Sequence, residues 1–401
     1  MKKFARKALL FATGLLLLLF FTNNFGLIDI QKTAIVTAIG IDAAEEGGFD
    51  VTAQIAVPDA SGADTASNVT VRGTETVGEA IAELNRKTGW FPTLVHCSLI
   101  LLGKDTAQEN VFRALDYFLR SEYVEDSCLV ALCETTAAET LGAGSPIGDL
   151  ASAAIAKVLS AEAQKTGLVS VTNLRDFAKG YFSEGESGFL PQLSALPQAK
   201  SEGGSGGQSG DSGNSSSAGG SGSGKSGGSS DVFDASRTAL FVRGQLTALL
   251  ETEETLAYNL AVSGTDMAFG DVTVFEGDRE VIYHLKIDIG KKSQKLQIKG
   301  ALPVLEFSIR AQAQVVDANK AGTRTEIAAT AIVPDHVLRA AEERFEKELR
   351  AAADKAHATG CDLFALKQKL HRFHPKEYEA LQENLLQDVR ITCDIRFETM
   401  R

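Results

Sequence analysis

The sequence predicts an α+β (mixed α/β) protein with two sheet-and-helix domains. They stand behind an N-terminal membrane-anchor helix and are separated by a Gly/Ser-rich disordered tract. Three observations predict this. Strand-like alternation and helical periodicity interleave on both sides of the tract, as in mixed sheet-and-helix layers. Residues 201–230 contain 12 glycines and 12 serines, a composition that cannot bury apolar surface. At 401 residues the chain also exceeds one ordinary hydrophobic core. The expected boundaries are an anchor over 1–28, a first domain over 29–197, a linker over 198–232 and a second domain over 233–401.

The leader carries Lys2, Lys3, Arg6 and Lys7 ahead of an uncharged, mostly apolar run from Ala8 to Phe21. That run makes about 21 Å of helix, short for a bilayer core. Continuing to Ile28 reaches a spanning length by including Thr22, Asn23 and Asn24. No small-x-small cleavage site follows the apolar core, and no cysteine stands between Phe20 and Ile30 to take a lipid. The expectation is an uncleaved anchor with its cationic end in the cytoplasm.

From Thr33, "TAIVTAIGID" and "FDVTAQIAV" flank "AAEEGG", a hairpin with Gly47 and Gly48 in its turn. "TVGEAIAELNRKTG" aligns Val77, Ile81 and Leu84 on one helical face and stops at Gly89. The continuous apolar runs "TLVHCSLILLG" and "SCLVALCE" predict buried strands. Between them, "NVFRALDYFLRSE" predicts a helix with Val111, Leu115 and Phe118 inward. "DLASAAIAKVLSAEAQKTG" and "TNLRDFAKGYF" predict two further helices.

Beyond the tract, "TALFVRGQLTALL" predicts a strand pair and "TEETLAYNLAV" a helix that Thr252 could cap. Val281, Tyr283, Leu285, Ile287 and Ile289 alternate with more polar neighbours, and so do Leu305, Phe307, Ile309, Ala311, Ala313 and Val315. Both runs predict half-exposed antiparallel strands. A long helix should start near Pro334, present Val337, Ala341, Phe345, Leu349, Ala352 and Ala356 to the core, and close at Gly360. Asp362 can cap the next helix, Pro375 opens a third, and "DVRITCDIRFETM" predicts a closing strand.

Charge and motifs exclude more chemistry than they supply. A formal net charge of −12 argues against nucleic-acid binding, which needs a clustered basic face. The five cysteines, Cys97, Cys128, Cys133, Cys361 and Cys393, form no C-x-x-C and suit small buried thiols. Five residues apart in a strand, Cys128 and Cys133 should face opposite sides. One disulfide in an exported chain stays open on spacing alone. "GGSGSGKS" at 219–226 matches the phosphate-loop pattern letter by letter. It lacks the preceding strand and following helix that would aim backbone N–H groups at phosphate, so it is a product of composition. His371 and His374 have metal-compatible spacing without an adjacent third ligand, which favours capping and turn packing. No H-E-x-x-H motif is present, and no Ser/His/Asp arrangement is visible. The sequence therefore predicts neither an enzyme nor a cofactor.

Two stretches carry a resemblance. "TAIVTAIGIDAAEEGGFDVTAQIAVPDA" (33–60) and "CDLFALKQKLHRFHPKEYEALQENLLQDVRITCDIRFETMR" (361–401) resemble the beginning and end of the spore-germination receptor C-subunit family, the Ger(x)C or GerAC-like proteins. Asp362 and Phe364 match the family's Asp-x-Phe, and His371, Arg372 and Pro375 match its His-Arg-x-x-Pro turn. "HCSLILLGKDTAQENVFRALDYFLRSEYVED" is similar to its buried strand, helix and arginine turn, with Arg120 at the arginine. "TALFVRGQLTALLETEET" is similar to the opening of its C-terminal domain. The resemblance implies a non-enzymatic subunit of a nutrient receptor on the outer face of the spore inner membrane. Its partners would be two integral membrane subunits, A-type and B-type, and the membrane itself. It leaves direct small-molecule binding open. One departure stands out: where such proteins carry a lipid-attachment cysteine followed by Trp-Asp, this chain reads "TNNFGLID". A different class of role, an extracytoplasmic scaffold or sensor in a vegetative envelope complex, is the alternative reading.

Overall fold

The computed structural model describes residues 4, 6–7, 11–16, 33–58, 64–144, 150–197, 231–262, 264–300, 302–319 and 332–400. Residues 11–16 of the leader are helical. Among the described residues no helix is long and apolar enough to cross a membrane. Most of the expected anchor, the 201–230 tract and the phosphate-loop look-alike lie outside the described residues.

The first sheet has nine strands. Thr33–Ala43 (β1), Phe49–Pro58 (β2) and Asp64–Thr74 (β3) form an antiparallel meander. Gly47 and Gly48 turn the first hairpin with φ of 90° and 83°. A side chain on Gly48 would also meet the Thr74 carbonyl oxygen, so glycine is required there twice over. Phe91–Thr93 (β4) pairs in parallel with the start of β1, and Leu99–Leu102 (β5) pairs in parallel further along it. Leu129–Cys133 (β6) and Ser187–Pro197 (β7) continue the parallel run. Asp231–Val242 (β8) and Gln245–Leu250 (β9) then add antiparallel to its edge. The tract thus lies between two paired strands. The strand pair at the start of the 233–401 region belongs to the sheet built by 29–197, because β7 supplies its hydrogen bonds.

Continuous apolar sequence in β5 and β6 follows from burial on both faces. Ile100, Leu102, Val130 and Leu132 pack on one side with Val77–Thr88 (α1) and Phe112–Arg120 (α2). Leu99, Leu101, Ala131 and Cys133 pack on the other with Ala137–Gly142 (α3) and Ala151–Val158 (α4). Cys128 and Cys133 accordingly belong to opposite cores. Thr76 caps α1 by accepting the Glu79 N–H, and Gly89 ends it at φ 72°. The single helix expected over 149–167 is two: Ser160 accepts the Ala163 N–H and starts Ala161–Lys165 (α5). Leu174–Tyr181 (α6) follows, capped by Asn173.

The second sheet comprises Met267–Glu276 (β10), Arg279–Lys299 (β11), Leu302–Ala318 (β12) and Arg390–Thr399 (β13). Its first two pairings are antiparallel, while the C-terminal strand joins β12 in parallel. Thr252–Val262 (α7) and Asp335–Ala358 (α8) lie in the same core as its inward face. All six expected inward residues of α8 are buried. Leu366–Phe373 (α9), Pro375–Leu381 (α10) and Leu385–Asp388 (α11) lead into β13.

Candidate functional site

The segment after α8 joins the two sheets. Gly360 turns the chain at φ 77°, and Cys361 sits buried with its thiol directed to the Phe241 carbonyl at 3.8 Å. Asp362 is the hub. Its backbone N–H donates to Ser187 Oγ at 2.9 Å, and Ser187 Oγ–H donates to the Gly185 carbonyl at 2.6 Å. Its carboxylate accepts the N–H groups of Leu366 at 2.6 Å and Lys367 at 2.9 Å, the first N–H groups of α9. Burial pushes this carboxyl above its ordinary value, and the two backbone N–H donors oppose the rise. Gly185 lies against it: a Cβ there would come within 2.9 Å of the Asp362 Cβ and Oδ2.

Phe364 is fully buried among Tyr258, Phe307 and His357, with ring centroids 5.3–6.3 Å away. Lys369 reaches back to the Phe364 carbonyl at 2.6 Å and to Gln294 Oε1 at 2.7 Å. Burial lowers the lysine's pKa. His371 Nδ1 lies 2.5 Å from Glu184 Oε1 and its ring stacks on Tyr378 at 4.6 Å. His374 Nε2 donates to the Leu296 carbonyl at 3.3 Å. The two histidines therefore turn to different partners, and no group of three potential metal ligands occurs among the described residues. Pro375 opens α10, where its missing N–H costs no helical hydrogen bond. Arg372 is exposed, with its guanidinium 5.3 Å from the centroid of the exposed Phe373 ring.

Between this segment and the α6–β7 loop lies a cleft of about 830 Å³, bordered by Thr172, Asp176, Lys179, Phe182, Glu184 and Asp362. The buried Thr172 hydroxyl has no hydrogen-bond partner among the described residues. The cleft can hold a small polar molecule. Its carboxylates, however, already hold structure: Asp362 caps α9, Glu184 holds His371 and Asp176 pairs with Lys179 at 2.8 Å.

Arg120 belongs to another face. It ends α2, exposed, and its Nε pairs with Asp116 one turn back at 2.8 Å. Beside it runs a groove of about 570 Å³ bordered by Thr33, Phe91, Leu94, Val95, Tyr117 and Tyr123. Trp90, Phe91 and Tyr123 are roughly half or more exposed, at 48%, 47% and 61%. Thr33 and Phe91 are register partners, so this aromatic face adjoins the point where the leader enters β1.

The structure thus gathers Asp362, Phe364, His371, Arg372 and Pro375 in one segment and leaves Arg120 on α2. Sequence reading missed Glu184, Gly185 and Ser187. Their loop, "SEGES", has the composition of an ordinary surface turn, and its partners lie 175 or more residues away.

Comparison with known proteins decides the family. Residues 27–195 match the family described as "Spore germination protein N-terminal domain", and residues 236–400 match "Spore germination B3/ GerAC like, C-terminal". The chain belongs to the GerAC-like family of spore germination proteins. The crystal structure of the GerBC protein has the same fold. It is similar to this GerAC-like chain at 14% identity and a TM-score of 0.50, over 93% of this chain and 100% of that one. No curated protein sequence matches this GerAC-like chain.

Proposed function

We propose that this chain is a non-enzymatic, membrane-anchored subunit of a nutrient (germinant) receptor in spore germination. It works by docking against two integral membrane subunits, A-type and B-type, on the outer face of the spore inner membrane. The observation that carries the reading is that both halves match the N- and C-terminal parts of one germination family in the family's order. The local chemistry agrees with a docking role: Asp362 holds backbone, Glu184 a histidine ring and Asp176 a lysine in place. The leader supports anchoring by its basic start and apolar run, and the half-exposed Trp90, Phe91 and Tyr123 beside Thr33 suit a membrane-proximal face.

The test is deletion of the gene in the sporulating host, scored by nutrient-triggered germination with a non-nutrient trigger as control. Loss of response to at least one nutrient, with the control intact, is expected. A normal response to every nutrient, with no other receptor able to compensate, would remove this reading. The absent lipid-site cysteine is the observation that favours the second reading, a scaffold or sensor in a vegetative envelope complex. Neighbouring genes for the two membrane subunits discriminate between the two.

A further inference from the structure

Cys97 and Cys128 are both buried, at 3% and 2% exposure, and their side chains are neighbours in one core. Each thiol donates to a nearby carbonyl, Cys97 to Leu99 at 3.6 Å and Cys128 to Leu129 at 3.8 Å. They stand just before β5 and β6, adjacent parallel strands in which Leu99 is the register partner of Leu129. The Leu129 N–H donates to the Ser98 carbonyl at 2.9 Å, so the pairing holds up to the strand ends. That register places Ser98 opposite Cys128. Cys97 precedes Ser98 at the end of a turn, its N–H donating to the Leu94 carbonyl at 2.9 Å, and its side chain lies in the same core as Cys128. The remaining cysteines are differently placed. Cys133 lies in the opposite core, Cys361 sits under the joint between the sheets, and Cys393 is on the last strand of the second sheet.

The pair also has an approach. Both cysteines border a groove of about 430 Å³ together with Val95, His96, Ser127 and Ser160. Each thiol bears on the other's proton, so either can supply the attacking thiolate. By contrast, burial holds Cys133 and Cys361 up to about 12.

We propose that Cys97 and Cys128 are an oxidisable pair that closes to a disulfide and staples the entry of β5 to the entry of β6. The oxidant is a disulfide, from a thiol–disulfide oxidoreductase or a small disulfide. The thiolate of one cysteine attacks one sulfur of that disulfide, forms a mixed disulfide and expels the first thiolate. The other cysteine, losing its proton, then attacks the first cysteine's sulfur and expels the second. Two protein thiols become one disulfide, the oxidant's disulfide becomes two thiols, and the two protons end on those leaving groups. In the cell, closure rests on the extracytoplasmic location proposed above, since the cytoplasm keeps such pairs reduced.

The test has two arms. In the first, purified full-length protein is equilibrated with oxidised glutathione, denatured and alkylated, and its free thiols are counted by mass. The count is expected to fall from five to three, with one crosslinked peptide pair holding Cys97 and Cys128. The Cys128→Ser variant should instead retain glutathione on Cys97. A count that stays at five, or stable glutathione adducts on the wild type, overturns the pair. In the second arm, the protein is acid-trapped directly from the sporulating host, and three free thiols are expected there too. Five thiols in the cell, with closure by glutathione in the tube, would support the pair and count against the location. An oxidation-dependent rise in Tm of the wild type, absent from Cys97→Ser, is the expected stability signature.

Discussion

Asp362 shows at the residue scale how a family-matching position does structural duty. It holds the start of α9 and, through Ser187, ties the second half of the chain to the β7 strand of the first sheet. Burial raises its folded pKa above 3.8, so the folded chain binds this proton more tightly than the unfolded one. Its contribution is fully present below the unfolded pKa and is lost as pH rises through the folded value. Wild type should therefore lose stability relative to Asp362→Asn as pH rises from about 4 to 7, read from urea midpoints. A gap that moves the other way, in favour of wild type, would show that the two N–H bonds outweigh desolvation. Arg372 is the opposite case. The sequence places it at an interhelix turn, where buried hydrogen bonds would make it structural. The structure exposes it instead, over an exposed Phe373. Arg372→Ala should change unfolding free energy by less than about 0.5 kcal/mol. A defect in germination with unchanged Tm would then mark a contact surface, whereas a Tm drop of many degrees would return the residue to the structural class.

Local periodicity makes whole elements legible. The β1–β2 hairpin, α1, α8 and the paired strands β11 and β12 all carry alternation or a 3.6-residue stripe, and glycine ends the helices. Besides the three-residue β4, three strands escape it for physical reasons. β3, "DTASNVTVRGT", is a polar edge strand with little alternation. β7 begins with Ser187 and Gly188 and contains Pro191, residues that read as loop. β10 is interrupted by Gly270 and Asp271. The break at Ser160 is visible only as a serine, since a cap and a mid-helix serine look alike without the backbone. Sheet membership of β8 and β9 is not legible at all, because pairing across the tract is a long-range choice. The candidate site divides the same way: the Asp362 cap is local and readable, while Glu184 and Ser187 become partners only in the fold. β7 and β8 pair with each other on either side of the tract, so the ends of the intervening sequence are held together. Shortening 201–230 by half should alter closure entropy by only about 0.6 kcal/mol. Tm should stay within a few degrees, and a large loss would mean that the tract packs against the domains.

At the scale of the whole molecule, the segment 361–375 is one of several joints between the two sheets. Leu240 and Leu250 of the first sheet lie in the core of the second, and Lys355 on α8 donates to the Leu249 carbonyl at 3.1 Å. An aromatic face around Trp90 and Tyr123 adjoins the leader, and an exposed Arg372–Phe373 corner belongs to the joint. An uncleaved leader is expected on the mature protein, so the intact mass of membrane-extracted chain should include residues 1–28. A mass lacking them, or carrying a diacylglyceryl group, would contradict the helix anchor. Docking to receptor partners is the role proposed for the chain. It is read by affinity purification of the tagged full-length chain from spore inner membranes after mild crosslinking, with co-purifying proteins quantified by mass spectrometry. Two multi-span membrane proteins should be recovered in amounts comparable to the chain, and less of both with the folded Arg372→Ala variant. Recovery of the chain alone, or with envelope proteins of the vegetative cell in their place, would contradict it.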